Sequence, residues 1–404
     1  MKETKILFLV ISIAIFLRII FVVLFIDVQN INQWEYGEIA KNIIHGNGYS
    51  LYYFENDSLD YKYQENISPF PSSYMPPGYV LIILPFYFLQ ETFLINIGVI
   101  LFHIIISSLI IYLLFHTLKK YFNNQVAIIS IVLYAILPEF IYSVVSFSPT
   151  IIFHLIIIIV FNHMLKNNST KFDYALPILL SLLLYLRSEM MLFVIFVLAA
   201  LLIKQKFKTA LINLIVIITL ILPWTIRNYI EFNEIIPLSS SFGRNLYRGN
   251  NSSDIGWWGE EIMMEKIKKL PRNDYFEVHM NDLYLNRAVD YIKNNPEKFI
   301  INGMRKQFEL WVFNLTDPRS KSLIYLIPSI SVLLLFIIGV VKSFNLSRYE
   351  YFYIFFLHSA ITAFIFFSLP RYQTMMKILM LPFAAVGAAI LYEIVKKHFF
   401  EIKK

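Results

Sequence analysis

The chain has 404 residues, of which 57% are hydrophobic and only 16% are charged. This composition excludes an ordinary soluble protein and indicates a polytopic membrane protein. The absence of cysteine excludes disulfides, thiolate metal sites and cysteine nucleophiles. The net charge of +7 does not indicate nucleic-acid binding, because membrane proteins collect Lys and Arg on their cytoplasmic side and no basic, aromatic-interleaved soluble segment is present.

The first apolar segment, 6–26, is long enough to cross about 30 Å of hydrocarbon. It is too long for a signal-peptide core, and no small-residue cleavage site follows it. We therefore expect a retained anchor that forms the first membrane span.

A short amphipathic helix is predicted near the start of the loop that follows, residues 27–92. One face is apolar, and the opposite face carries Glu35, Glu38 and Asn42. We expect this helix to lie flat on the membrane with its acids in water. A second apolar stretch, 79–89, is too short to span, so we expect an interfacial or re-entrant helix there.

Hydropathy predicts nine further spans on either side of a polar lobe. They cover 93–115, 126–142, 150–164, 174–185, 190–203, 210–222, 323–341, 351–369 and 375–395. Helices are predicted in the lobe at 260–270, 274–294 and 296–311, the last with a proline in its first turn. We therefore divide the chain into an N-terminal transmembrane module (1–223), a lobe (224–321) and C-terminal transmembrane helices (322–404).

The lysine clusters predict the orientation. With the N-terminus inside, every cluster between spans faces the cytoplasm, as the positive-inside bias requires. Both termini then lie inside, and the first loop and the lobe share the outer face. All five tryptophans fall in outer segments: Trp34, Trp224, Trp257, Trp258 and Trp311. We expect a multi-pass protein of a prokaryotic cytoplasmic membrane.

The stretch after the predicted seventh span carries candidate residues for binding an anionic headgroup. It contains Arg227, Asn228, Arg244 and Arg248. An arginine at the outer interface can bind a phosphate through two parallel hydrogen bonds. The alternative for Arg227 is a snorkelling anchor at the end of a span.

Two further arginines lie at predicted span ends. Arg187 is between spans five and six, where it can bind a headgroup or form a simple ion pair with Glu189. Arg371 and Tyr372 precede the last span. Arg371 is a second candidate phosphate contact, with an interfacial anchor as its alternative.

Together these motifs resemble those of the GT-C glycosyltransferases, specifically the bacterial relatives of protein O-mannosyltransferases and of the lipid A aminoarabinose transferase. In the first loop the matching positions are Tyr36, Ile39, Ala40, Gly46, Gly48, Tyr49, Pro76 and Pro77. Residues 223–250 are similar to the family's PWxxRN and STxxGxNLxxGN motifs, and 371–372 match its C-terminal RY. One position departs from the family, since Asn32 stands where its catalytic Asp is found.

The resemblance implies an all-α polytopic fold of about ten transmembrane helices, with interfacial helices in the first outer loop and a small, mainly helical outer lobe. It also implies an inverting transfer of a sugar from a polyprenyl-phosphate donor to an acceptor on the outer face. A carboxylate of the first loop would deprotonate the acceptor, and arginines would stabilise the departing phosphate. Because Asn32 replaces the Asp, we predict Glu35 as the general base and Glu38 as the second candidate. Asn32 would orient the acceptor, and Asp27 is the least favoured candidate base.

The implied partners are a polyprenyl-phosphate sugar, membrane lipid and an acceptor glycan, lipid or protein. Donor binding is predicted for Arg187, Arg227, Asn228, Arg244, Arg248, Arg371 and Tyr372. No cofactor is predicted. A divalent metal is left open by the resemblance but is not indicated, because the histidines are scattered over separate spans.

Two alternatives stay open. An oligosaccharide ligase or polymerase also combines many spans with an outer loop, but the first-loop and PWTIRN motifs are not expected of one. A non-catalytic GT-C-like protein that binds or transports lipid-linked sugar is favoured by Asn32 alone. A transporter would show repeat symmetry and broken midplane helices, and neither is visible in the sequence.

Overall fold

The computed structural model describes residues 2–55, 58–166, 174–252, 260–314, 317 and 322–401. Its helices are α1 (Lys2–Phe25), α2 (Trp34–Ile44), α3 (Pro77–Tyr87), α4 (Thr92–Tyr121), α5 (Asn124–Ile136), α6 (Pro138–Tyr142), α7 (Thr150–Leu165), α8 (Ala175–Leu186), α9 (Met190–Ile203), α10 (Phe207–Phe232), α11 (Phe242–Gly249), α12 (Glu260–Ile267), α13 (Phe276–Asn294), α14 (Pro296–Trp311), α15 (Leu323–Ser343), α16 (Leu346–Ile365) and α17 (Pro370–Glu401). The predicted all-α polytopic architecture is confirmed.

A small antiparallel hairpin in the first loop was not predicted. It pairs β1 (Tyr53–Glu55) with β2 (Ser58–Asp60), and Phe54 lies opposite Leu59. The strands are three residues each, which is too short to give a clear alternating pattern in the sequence.

Among the described residues, five helices are long and apolar enough to cross a membrane: α1, α4, α10, α15 and α17. A sixth crossing is formed if the bent pair α5 and α6 is counted as one span. The predicted spans four, five and six are shorter helices, α7, α8 and α9, with 16, 12 and 14 residues. At 1.5 Å per residue they are about 18–24 Å long, so each covers only part of the hydrocarbon.

The predicted third span is wrong as a single straight helix. The chain bends by 58° between α5 and α6, and Leu137 has an extended backbone. The cause is Pro138, because a proline disfavours the helical conformation of the residue before it. Arg18 of α1 is fully buried and donates to the carbonyl oxygens of Tyr134 and Ala135, which the bend leaves without helical partners.

The seventh span also differs from the prediction. Helix α10 continues through Pro223 to Phe232, so the predicted boundary between the N-terminal module and the lobe falls inside a helix. The helices α11–α14 follow α10, and we call these four helices the lobe. The three-part domain division remains a prediction.

The helix at the start of the first loop was predicted correctly, but its polar face is not solvated. Helix α2 packs on α3, with the Tyr36 and Tyr79 rings in edge-to-face contact at 5.2 Å. Asn42 is fully buried, donates to the Ser50 carbonyl and accepts from the Tyr53 hydroxyl. The acids therefore do not simply face water, because the hairpin of the first loop folds over this helix face.

The helices α15 and α17 approach each other through two glycines. A Cβ atom at Gly339 would lie 1.8 Å from the Phe383 carbonyl oxygen, and one at Gly387 would lie 2.1 Å from that of Leu335. This close packing fixes α17 in the bundle. The first residues of α17, which include Arg371, are thereby held in place.

The bundle has two chemically different ends. At one end Lys119 pairs with Glu3, Lys204 pairs with Glu350, and Arg348 donates to the Tyr121 carbonyl. The first loop and the lobe meet at the other end, which we call the loop end. The segments with these lysines, which we predict to face the cytoplasm, thus lie at the same end of the bundle. The orientation of the bundle in a membrane remains a prediction. Trp257 and Trp258, predicted to be outside, lie outside the described residues.

Single cysteines test this orientation, because the chain contains none. Asn66 is exposed in the first loop, and Lys206 is exposed at the lysine-rich end. We expect a membrane-impermeant maleimide to label an Asn66→Cys variant in intact cells and a Lys206→Cys variant only after the membrane is opened. Labelling in the reverse order would invert the topology.

Candidate active site

A polar cavity of about 340 Å³ opens at the loop end. Charged residues from six segments of the chain line it: Glu35, Glu139, Arg187, Glu189, Arg248, Asp317, Arg371 and Lys377. Of the predicted site residues, the structure brings Glu35, Arg187, Arg248, Arg371 and Tyr372 to this cavity. Its volume suits a single polar headgroup.

Glu35 is the first-loop acid that faces the cavity. It follows Trp34, whose backbone has φ of +52°, an uncommon value for a bulky side chain. The Asn32 side chain accepts a hydrogen bond of 2.9 Å from the Trp34 amide and stabilises this strained start of α2. The strain therefore lies directly beside the acid, as is frequent at functional sites.

Arg371 reaches the cavity from the first turn of α17. Its Nε atom is buried and has no hydrogen-bond partner. Electrostatic interactions connect the guanidinium with Tyr372, Arg187 and Glu35. A half-buried guanidinium with an unused, buried Nε donor is suited to an anionic ligand.

Arg248 lies at the end of α11 and is only 7% exposed. Its guanidinium is 4.5 Å from the centre of the Phe367 ring. Burial, with a smaller contribution from the Arg371 charge, lowers the pKa of Arg248 to about 10. The side chain is still charged at neutral pH, and an anion between the two arginines would relieve their repulsion.

Arg187 follows α8 and is paired with Glu189 through Nε and Nη2. Burial opposes the charge of Arg187, but the Glu189 carboxylate outweighs it and raises the pKa of the guanidinium. The guanidinium also lies 4.9 Å from the centre of the Tyr372 ring. Both Arg187 and Glu189 line the cavity. Arg187 can therefore contact a headgroup while it remains paired with Glu189.

Arg227 and Asn228 do not line the cavity. Arg227 donates to the carbonyl oxygens of Ser72 at 2.7 Å and Tyr49 at 2.9 Å. Asn228 is fully buried and donates to the Ile236 carbonyl at 2.8 Å. The PWTIRN motif therefore attaches the first loop to α10, and its contacts differ from the phosphate binding that we predicted.

Glu38 and Asn32, predicted as catalytic residues, are also outside the cavity. Glu38 pairs with Lys41 at 2.9 Å and accepts from the Tyr63 amide at 2.7 Å. Asn32 is exposed and caps the start of α2. Both side chains shape the first loop, because their partners belong to it.

Arg244 is also absent from the cavity lining. Its guanidinium donates to the Tyr52 hydroxyl and lies 4.9 Å from the centre of the Tyr74 ring. Tyr74 lines the cavity. Arg244 therefore contacts the wall of the cavity without lining it.

Lys306 is a buried lysine that the sequence analysis missed. Its ammonium donates to the Phe366 carbonyl at 2.9 Å and the Gly249 carbonyl at 3.3 Å. Gly249 has no room for a side chain, since a Cβ atom would lie 1.4 Å from the Phe366 carbonyl oxygen. Lys306 thus joins the lobe to the segment before α17 and fixes the spacing of Arg248 and Arg371.

Glu139 and Lys377 were also missed as a pair. They form a buried ion pair of 2.5 Å at the cavity wall. The two residues are 238 positions apart, so no local motif joins them. A charged residue inside a predicted span was the available signal.

A second cavity of about 420 Å³ adjoins the first and is lined mainly by apolar side chains of α9, α16 and α17. Ile195, Phe355 and Met375 are examples. The two cavities share a wall formed by Arg187, Ser188, Glu189, Ser241, Asn245 and Tyr372. The two cavities are therefore adjacent, with these residues between them.

Residues 76–226 match the family described as dolichyl-phosphate-mannose-protein mannosyltransferase. This match runs from the start of α3 into α10 and includes Pro76 and Pro77 but none of the earlier matching positions of the first loop. None of the curated proteins matches the chain in sequence.

The structural comparisons extend over almost the whole chain. The oligosaccharyltransferase AglB from Archaeoglobus fulgidus, in complex with an inhibitory peptide and a dolichol-phosphate, is 13% identical with a TM-score of 0.55, over 99% of this chain and 51% of that one. The same oligosaccharyltransferase tethered to an acceptor peptide gives 10% identity and a TM-score of 0.57, over 100% and 51%. The chain has the GT-C fold. It spans about half the length of these oligosaccharyltransferases.

A third match is ArnT from Cupriavidus metallidurans in the apo state. It is 11% identical with a TM-score of 0.39, over 96% of this chain and 78% of that one. This similarity is too weak to add to the fold assignment. Within the described ranges, no group of three His, Asp or Glu residues is arranged to hold a metal ion.

Arg371 and Arg227 make a matched pair for testing the placement of the phosphate. We expect Arg371→Met to weaken binding of polyprenyl phosphate about 10- to 100-fold, because it removes charged hydrogen bonds to the ligand. Arg227→Met should lower the thermal unfolding midpoint and leave binding unchanged. Binding to purified protein in nanodiscs measures the first effect. Weaker binding for Arg227→Met at an unchanged midpoint would restore its role as the phosphate contact.

Proposed function

We propose that the protein transfers a sugar from a polyprenyl-phosphate donor to an acceptor on the outer face of the membrane. The observation that carries this proposal is the polar cavity, with its acids and its arginines, beside an apolar cavity that shares its wall. A lipid-linked sugar has the matching division into a polar head and an apolar chain.

The polar and apolar parts of the donor indicate how it binds. The prenyl chain occupies the apolar cavity and the phosphate reaches the polar one, where Arg248 and Arg371 bind it. The Glu189 carboxylate largely neutralises Arg187. Arg187 therefore orients the donor from the shared wall and contributes little net charge to phosphate binding. Burial strengthens each of these contacts, because the effective dielectric is lower than in water.

The reaction is a direct displacement at the anomeric carbon. Glu35 takes the proton of the acceptor hydroxyl. The acceptor oxygen forms a bond to the anomeric carbon as the bond from that carbon to the phosphate oxygen breaks. The polyprenyl phosphate leaves with the electron pair, and Arg248 and Arg371 stabilise its charge. Attack from the opposite face inverts the anomeric configuration.

A second candidate function is binding of a lipid-linked sugar without catalysis. The observation that favours it is the position of Asn32, which caps α2 and does not line the cavity. The family position that carries an acid is therefore not used for proton transfer here. The ligase or polymerase alternative gains no support from these contacts.

Glu35 and Glu38 provide a matched test of the base. Both are glutamates of α2, but only Glu35 lines the cavity. We expect Glu35→Gln to reduce transfer about 10²- to 10⁴-fold with donor binding retained, whereas Glu38→Gln keeps most of the rate. Transfer from polyprenyl-phosphate sugars measures both variants.

Two results would contradict this assignment. Full activity in Glu35→Gln would place the base elsewhere. A wild-type protein that binds donors but never consumes them would favour the non-catalytic function.

A further inference from the structure

The bend between α5 and α6 directs a carboxylate into the bundle. Glu139 follows Pro138 in the first turn of α6 and is only 7% exposed. Because Arg18 satisfies the carbonyl oxygens freed by the bend, the distorted segment is stable within the apolar core. The bend places Glu139 at the cavity wall.

The carboxylate of Glu139 has one occupied and one unused oxygen. Lys377 donates to Oε1 at 2.5 Å. The other oxygen, Oε2, is buried and has no hydrogen-bond partner. An unsatisfied buried carboxylate oxygen costs free energy that a ligand donor would recover.

Lys377 also has an unused hydrogen-bond donor. It is 3% exposed, and its ammonium donates to Glu139 and, at 2.6 Å, to the Ser329 hydroxyl. An ammonium has three donors, so one is left for a ligand. Both Lys377 and Ser329 line the cavity.

The pair lies deeper in the bundle than the arginines. Lys377 is six residues after Arg371 on α17, which corresponds to about 9 Å along the helix. Ser143, whose hydroxyl donates to the Glu139 backbone carbonyl, also lines the cavity. This part of the cavity is polar and set apart from the proposed phosphate contacts.

We propose that Glu139 and Lys377 form a subsite for the transferred sugar and select a neutral sugar with adjacent hydroxyl groups. The proposal rests on the proposed function, because it takes the headgroup to be a sugar. One hydroxyl donates to Glu139 Oε2, and its neighbour accepts from the free N–H of Lys377. Because Glu139 and Lys377 neutralise each other, the charge of a uronic acid or an amino sugar would be buried there without a counter-charge, and the subsite disfavours both.

A purely structural ion pair would behave differently, and a double variant separates the two roles. Glu139→Met/Lys377→Met removes both charges at similar volume, a change that buried ion pairs often tolerate without loss of stability. The matched control is Lys204→Met/Glu350→Met, which removes an ion pair at the lysine-rich end.

The experiment measures binding to wild type and to both double variants in nanodiscs. The ligands are polyprenyl phosphate alone and its glucose and mannose conjugates, each with its uronic-acid and amino-sugar analogue. We expect wild type to bind at least one neutral conjugate about 10-fold or more tighter than the matched charged analogues. The variant at the cavity should lose this preference but bind polyprenyl phosphate normally, and the control variant should keep both properties.

The possible failures are distinct. If wild type does not bind polyprenyl phosphate, the proposed function fails and the subsite fails with it. If it binds polyprenyl phosphate but the cavity variant keeps the preference for neutral sugars, only the subsite is overturned. If the cavity variant does not fold, the preference of wild type among the conjugates is the test. Equal binding of neutral and charged conjugates by wild type then overturns the proposal.

Discussion

The buried carboxylate of Glu277 holds together the parts of the chain that form the cavity. It accepts hydrogen bonds from the Ser72 hydroxyl at 2.5 Å, the Ser73 amide at 2.7 Å and the Ser240 hydroxyl. Burial raises the pKa of Glu277, and these hydrogen bonds offset part of that rise. A single side chain of α13 therefore connects the lobe, the first loop and the segment after α10.

This connection explains why residues far apart in the chain meet at one cavity. The segment after Ser73 supplies Tyr74 to the wall, and the segment after Ser240 leads into α11 with Arg248. Arg227 reinforces the same junction by donating to the Ser72 carbonyl. The side chains of this polar network do not line the cavity.

The sequence predicted elements whose signals are local. Helix α9 was predicted at its observed bounds from hydropathy, and α14 was predicted with its first-turn proline at Pro296. The bend at Leu137 was missed, although the proline that causes it is visible. In that case hydropathy averaged over a window concealed a break of a single residue.

The site was only partly predictable, for a physical reason. A motif shows which residue types are close in sequence but not what each side chain contacts. Arg227 was expected to bind phosphate, yet its partners are 155 and 178 residues away. Glu35 and Glu38 share one helix face, and only the fold of the first loop shows that Glu35, unlike Glu38, lines the cavity. The pairing of Glu139 with Lys377 depends on a contact between distant helices.

The most direct test of the account is a cryo-EM structure of the protein with a bound polyprenyl-phosphate sugar. The account predicts the phosphate between Arg248 and Arg371, the prenyl chain in the apolar cavity and the sugar in the polar cavity near Glu35. A phosphate bound at Arg227, or a prenyl chain outside the apolar cavity, would contradict it.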